Sequence, residues 1–294
     1  MNYKIIFIKN VNIKYSNSNT IVKKHISRCY HNFCYNFIIT TIKLREISMK
    51  NIIHSYLYYL IMLLIVGVIL TSLYILYVWK NDQPQNQDYY KNFSELKADT
   101  TEGRDWQINT KTTNNKDILI TAIHGGGIEP GTSELAKIIS KKGNFNLYSF
   151  EGLLNSNNAK LHITSTRFDD PKLKDMIYKS NESISIHGIR EEKKVVYIGG
   201  KDKDMSQSIR KELEKEGFNV EQSPNYVNGD SSNNIINKND TGSGVQLEIS
   251  TKYRKSFFDN GDFNRKTREN TNDYKQSIYD FAEAVTKGIK QQKN

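Results

Sequence analysis

Two histidines in this chain each close a short apolar run and precede glycine: His124 in DILITAIHGGG and His187 in SISIHG. An imidazole offers a metal a neutral nitrogen, and Glu129, downstream of His124 in HGGGIE, offers a carboxylate. His, Glu and His make up a zinc ligand set of catalytic type, because three protein ligands leave a fourth position for water. Other readings of the same residues stand beside this one. A glycine-rich turn after a strand also cradles phosphate or simply turns the chain, and a lone strand histidine is commonly structural.

A second carboxylate, Glu248, lies in GVQLEIS. Val245, Leu247 and Ile249 alternate with Gln246, Glu248 and Ser250, so period-two geometry puts Glu248 on the face opposite the apolar set. At a sheet edge that face meets solvent. Beside the histidines, Glu248 is placed to take a proton from an attacking water and pass it to a leaving nitrogen. His162 and Glu151 read as packing groups or as partners that orient a ligand. Glu134 reads as support for a helix N-terminus.

The elements that must position these groups alternate. Strands are expected at 117–124, 146–152, 161–166, 183–188, 193–200 and 244–250. Helices are expected at 131–143 with Thr132 or Ser133 as N-cap, at 170–180 with Pro171 in the first turn, at 204–218 and at 272–292. Ile278, Phe281, Ala282, Val285 and Ile289 share one face of the last helix. This alternation implies an α/β domain, a mixed, largely parallel sheet sandwiched by helices. In such sheets ligands collect beyond the carboxyl ends of strands, which is where His124 and His187 fall.

Charge divides the chain of 294 residues unevenly. Residues 1–50 hold nine Lys or Arg against one acid, Glu46, and 51–79 hold no charged residue, which leaves 80–294 with 42 − 9 = 33 basic and 32 − 1 = 31 acidic residues. The main domain is therefore nearly neutral, and no nucleic-acid partner is expected. Both cysteines, Cys29 and Cys34, lie in the N-terminal arm, so no disulfide framework holds the main domain. CYHNFC in the arm offers only three candidate ligands and is not read as a zinc site. Residues 57–79, LYYLIMLLIVGVILTSLYILYVW, are long enough to span a bilayer and are flanked by Tyr and Trp. The expected organisation is a basic arm over 1–56, a transmembrane anchor over 57–79, a polar linker over 80–116 and the main domain over 117–294. Met49 is an alternative translation start within the arm. The basic flank places the N-terminus in the cytoplasm and the domain outside the cell membrane.

HGGGIEPGTSELA, YSFEG, LHITSTRFDDP, SISIHG, VYIGGKD and SGSGVQLEIS occur in this order. Together they resemble the phage-type poly-γ-glutamate hydrolase family over residues 117–290. The resemblance implies a zinc carboxypeptidase-like fold, one zinc ion held by His124, Glu129 and His187, and Glu248 as general acid/base. It implies hydrolysis of γ-glutamyl amide bonds in poly-γ-glutamate or a similar polymer. Arg167 is then the candidate to steady the developing oxyanion, and Asn234, Asn237 and Lys238 are candidates to meet substrate carboxylates. A zinc peptidase or amidase acting on cell-wall peptides or another acyl-amino acid is the alternative enzyme. A non-catalytic surface binding protein is the alternative outside enzymes, and the presence of His124, Glu129, His187 and Glu248 together argues against it.

Overall fold

The structure, a computed structural model, describes residues 20–82, 88–114 and 117–292. The chain divides into two compact units, 1–80 and 81–294. The first is dominated by helix α1 (Thr20–Asp82), a single run of 63 residues. It is the one described helix long and apolar enough to cross a membrane, and residues 57–79 lie inside it. Helix also covers residues 20–56, where no period is evident in the sequence. Its apolar side chains over residues 33–76 are exposed, so over that stretch no stripe faces a core and none is written into the sequence. Residues 1–19 and the side chains of Cys29 and His31 lie outside the described residues. Cys34 is exposed.

The second unit starts well before Asp117, which corrects the reading of 80–116 as linker. Helix α2 (Phe93–Asp99) is capped by Asn92, whose side chain accepts from the Glu95 amide. It buries Phe93 and Leu96. Strand β1 (Trp106–Lys111) then pairs antiparallel with β3 (Asn146–Gly152). Strand β1 leaves little sequence signal because it is half-buried at an edge and carries little apolar alternation.

The remaining strands are β2 (Ile118–Gly126), β4 (Glu182–Ile189), β5 (Val196–Gly200), β6 (Val220–Gln222) and β7 (Val245–Ser250). The sheet order is β1-β3-β2-β4-β7-β5-β6. The central run β3-β2-β4-β7 is parallel, while β1-β3 and β7-β5 are antiparallel. Helices α3 (Thr132–Gly143), α5 (Lys203–Lys215) and α8 (Gln276–Gln291) cover one face. Their apolar residues pack on Ile120, Ala122, Ile184, Ile186, Leu247 and Ile249. On the other face Phe93, Trp106, Phe150, Phe168, Ile235 and Ile236 form a second core with α4 (Pro171–Tyr178). Short helices α6 (Thr251–Ser256) and α7 (Arg265–Glu269) complete the domain. The mixed, largely parallel sheet between helices is the architecture expected from the alternation.

Two local expectations are corrected. Residues 161–166 are not a strand. Their backbone groups meet side chains and a turn instead of a ladder: Thr164 N donates to Asp88 Oδ2 at 2.7 Å, and Ile163 O accepts from His124 Nε2 at 2.9 Å. The N-cap of α3 is Gly131, not Thr132 or Ser133, with a left-handed φ of 97° that favours glycine. Glu134 supports that end as read, its Oε2 accepting from Gly131 N at 3.1 Å. Its other oxygen pairs with buried Arg268 at 2.8 Å.

Glu151 is a buried structural carboxylate. It accepts from Ser149 Oγ at 2.8 Å and Gln107 Nε2 at 3.1 Å and pairs with Lys137 Nζ at 2.7 Å. Burial pushes its pKa up, but the Lys137 charge and the hydrogen bonds outweigh burial and hold it below the ordinary carboxylate value. A depressed carboxyl adds stability above its unfolded pKa and loses it as pH falls through its folded one. Lys137→Met leaves burial opposed only by the hydrogen bonds. The variant should therefore lose more urea stability at pH 7 than at pH 4. Equal losses at both pH values would remove the charge pairing as the cause.

Candidate active site

The site lies where β2, β4 and β7 end. In the parallel ladder His187 of β4 stands opposite Glu248 of β7. Residues opposite each other in a ladder share a face, so the two side chains lie together, with Ser185 and Gln246 one repeat earlier. Strand β7 sits between β4 and β5, and Glu248 is buried. The solvent-facing alternative for this carboxylate is thereby removed.

His124 reaches the same place through an irregularity. The β2–β3 register steps from Ala122↔Ser149 to Gly125↔Glu151, so β2 carries one extra residue there. Such a bulge re-aims a side chain. Strict alternation would send His124 with Ile120 and Ala122 toward the helices. Instead its ring packs edge-on against His187, centroids 4.8 Å apart, and stacks on His162 at 3.9 Å.

The glycines that follow are required by close packing on β3. A Cβ on Gly125 would lie 2.9 Å from Phe150 O, and one on Gly126, at φ +63°, 2.5 Å from Gly152 O. The amides of Gly126 and Gly127 donate to Ser133 Oγ at 3.0 Å and Gly152 O at 2.9 Å. Engaged amides form no phosphate cradle, so the glycine run is structural.

Glu129 binds the site together. Its Oε1 lies 3.0 Å from His124 Nδ1, and its Oε2 accepts from Gly188 N at 2.7 Å and lies 3.7 Å from His187 Nδ1. His124 Nε2 faces the Ile163 carbonyl at 2.9 Å and must donate to it, which leaves Nδ1 for the site. The Nδ1 atoms of His124 and His187 are 3.0 Å apart, too close for both to hold protons. His187 Nε2 is met by Ser185 Oγ at 2.7 Å. His124, Glu129 and His187, proposed as a set from sequence, are thus brought together.

Electrostatics follow from burial. It pushes Glu129 up, but the charge of His124 and its hydrogen bond prevail and hold the carboxyl down at about 2. Burial pulls His124 down, yet the Glu129 charge outweighs it and leaves the imidazole raised. For His187 burial wins, aided by the His124 charge, and its pKa falls to about 3. One carboxylate and two imidazoles thus converge on His124 Nδ1, where a cation can take the place of a proton. The donor types and spacings suit a divalent metal ion.

His162 joins the cluster although the sequence suggested a packing or orienting role. The ligand atoms of His124, Glu129 and His162 all lie within 4.8 Å of one another. His162 Nδ1 pairs with Asp88 Oδ1 at 2.7 Å, and its Nε2 lies 3.9 Å from Glu129 Oε1. A carboxylate behind a histidine fixes its tautomer and orientation. Asp88 lay in the stretch read as linker, so nothing local in the sequence marked it.

Glu248 accepts from Gln246 Nε2 at 2.9 Å, and Gln246 Oε1 accepts from Asn234 Nδ2 at 2.9 Å. Burial, then the Glu129 charge, hold Glu248 well above the ordinary carboxylate range.

Four expectations are revised by these contacts. Arg167 stands behind His162, its Nη2 held by the Asp88 carboxylate at 2.6 Å. Asn234 is buried behind Gln246. Asn237 is buried too, its amide donating to Gly229 O and Ser231 O while its oxygen accepts from Gly244 N. These two asparagines position backbone and have no group left for a substrate carboxylate. Lys238 is half-buried at the end of a 3-10 turn, and no contact joins it to the histidines. Arg254 was missed. It is buried under Gly188, where a Cβ would lie 2.5 Å from its Cζ, and it donates to Ile249 O at 3.0 Å and Pro130 O at 2.7 Å.

A family model for poly-gamma-glutamate hydrolase matches residues 90–284. The UPF0714 protein YndL of Bacillus subtilis is 40% identical over 209 residues, covering 69% of this chain and 79% of YndL. A bacteriophage poly-gamma-glutamate hydrolase of solved structure superposes with a TM-score of 0.68 at 33% identity, covering 70% of this chain and 99% of its own. YndL in a zinc-free apo form superposes with a TM-score of 0.65 at 38% identity, covering 70% of this chain and 99% of its own. The matched region spans the sheet and every residue of the histidine cluster apart from Asp88, and on this evidence the chain belongs to the poly-γ-glutamate hydrolase family.

Proposed function

We propose that this chain is a membrane-anchored, zinc-dependent hydrolase that cleaves γ-glutamyl amide bonds in poly-γ-glutamate or a similar polymer. The observation that carries the reading is the convergence of His124 Nδ1, Glu129 and His187 Nδ1 within 3.7 Å of one another, with Glu248 beside His187 in the ladder. The family supports the substrate class. The zinc-free form in which YndL was solved supports zinc as the metal.

In this reading His124, Glu129 and His187 hold the ion. Zinc bound there supplies Lewis acidity, polarising an amide carbonyl and making water a stronger nucleophile. Glu248 takes the proton of the attacking water and returns it to the departing nitrogen. Gln246, itself held by Asn234, keeps the Glu248 carboxyl in one orientation during both transfers. Gly188 N and Arg254 hold the end of β4, so that His187 keeps its place while charge develops.

Residues 57–79 of α1 serve as the anchor. Their basic N-terminal flank stays in the cytoplasm, and the hydrolase unit stands outside. On intact cells, externally added protease should then degrade the C-terminal unit and spare the arm. Protection of the C-terminal unit would reverse the topology.

The full chain in detergent should hold about one zinc ion. Chelation should abolish cleavage of poly-γ-glutamate, and added zinc should restore it. A wild-type chain that takes up no zinc after reconstitution is incompatible with the metal reading. Glu248→Gln should keep its zinc while kcat falls about 10²–10⁴-fold. Unchanged turnover in that variant would remove Glu248 from its role.

A further inference from the structure

Two arginines of the domain, Arg254 and Arg268, are buried in the fold. Arg254 is buried on backbone carbonyls, and Arg268 is paired with buried Glu134. Arg167 differs. Its side chain is 45% exposed, and only Nη2 has partners, Asp88 Oδ2 at 2.6 Å and Thr164 Oγ1 at 3.4 Å. Among the described residues, Nε and Nη1 have no acceptor.

Asp88 fixes where this free edge stands. Its side chain is buried. One oxygen meets His162 Nδ1, and the other accepts from Thr164 N and Arg167. Neither His162 nor Arg167 can swing away without unpairing a buried carboxylate. His162 Nε2 is in turn 3.9 Å from Glu129 Oε1. Arg167 is thus held two side chains away from Glu129, at the more open rim of the site, where His162 is 34% exposed and His124 and His187 are 3% exposed.

A γ-linked glutamate chain has a feature that fits this placement. Every residue keeps a free α-carboxylate. On the acyl side it stands four bonds from the scissile carbonyl carbon, and on the amine side two bonds from the scissile nitrogen. A cation fixed a short way from the reacting centre can hold it, and a guanidinium with unengaged donors suits a carboxylate better than an ammonium does. We propose that Arg167 binds the α-carboxylate of a γ-glutamyl residue flanking the scissile bond and thereby selects chains whose α-carboxylates are free. This inference rests on the γ-glutamyl hydrolase reading above. It gives Arg167 a substrate role in place of the oxyanion role, and it fills the carboxylate-binding place that Asn234 and Asn237 cannot take.

The test uses the full chain in detergent micelles and two substrates, short γ-glutamate oligomers and the same oligomers with their α-carboxyls converted to methylamides. The wild type should prefer the free acid by about 100-fold in kcat/KM, because a site built for a carboxylate rejects its amide. Arg167→Met should raise KM for the acid about 50–100-fold, leave kcat within about threefold and collapse the preference. Arg167→Lys should recover part of it. The KM effect should also shrink with added salt, since the guanidinium is partly exposed. An Arg167→Met enzyme equally impaired on both substrates, its preference intact, would assign Arg167 only to holding Asp88 and His162 and would overturn the proposal. Zinc content measured in parallel separates the failures. A zinc-loaded wild type that cuts neither oligomer refutes the γ-glutamyl reading and this inference with it. A metal-free wild type that cuts the acid refutes the zinc assignment alone.

Discussion

The Glu129 carboxylate is the interaction on which the rest of the site depends. It is ionised, largely buried and met from both sides: His124 Nδ1 on one oxygen, the Gly188 amide on the other. These contacts tie the loop after β2 to the end of β4, two strands that are already neighbours in the sheet. A buried carboxylate needs compensating charge. Here the compensation comes from the His124 imidazole and the Gly188 amide, and a carboxylate set between imidazoles invites a metal ion.

The two faces of the sheet divide the labour. On the helix side, apolar residues of α3, α5 and α8 fill the space against β2, β4 and β7. On the other side the same central strands present Ser185, His187, Gln246 and Glu248. Polar groups survive burial there because each is bonded: Ser185 to His187, Gln246 to Glu248 and Asn234 to Gln246. Asp88 does the same for His162 from outside the sheet. The glycines at 125, 126 and 188 let backbone or Arg254 approach where any side chain would collide.

The family places this unit among hydrolases, while α1 lies outside the matched region. A hydrolase of a large anionic polymer meets its substrate where the polymer is, and the proposed anchor would hold the unit beside it. The near-neutral charge of residues 80–294 then matters. In the proposed reading, a polyanion would be recognised by locally placed cations such as Arg167 rather than by a broad basic field.

Much of this was legible in the chain. Apolar runs ending in His-Gly marked two strand ends. The alternation in GVQLEIS put Glu248 opposite its apolar neighbours, and Ile278, Phe281, Ala282, Val285 and Ile289 marked the buried face of α8, all of them now buried. The long charge-free run at 57–79 marked a helix. These signals are local, because side-chain periodicity and chain stiffness act over a few residues. Tertiary structure decided the rest. The bulge that turns His124 appears only as a register step against β3. The pairing of Asp88 with His162 joins residues 74 apart in sequence, and the contact of Arg254 with Pro130 joins residues 124 apart. Asn234 and Asn237 resembled substrate contacts until burial showed their donors already taken. Which polar group faces water and which faces another buried group depends on segments that meet only when the sheet closes, and no spacing along the chain encodes that meeting.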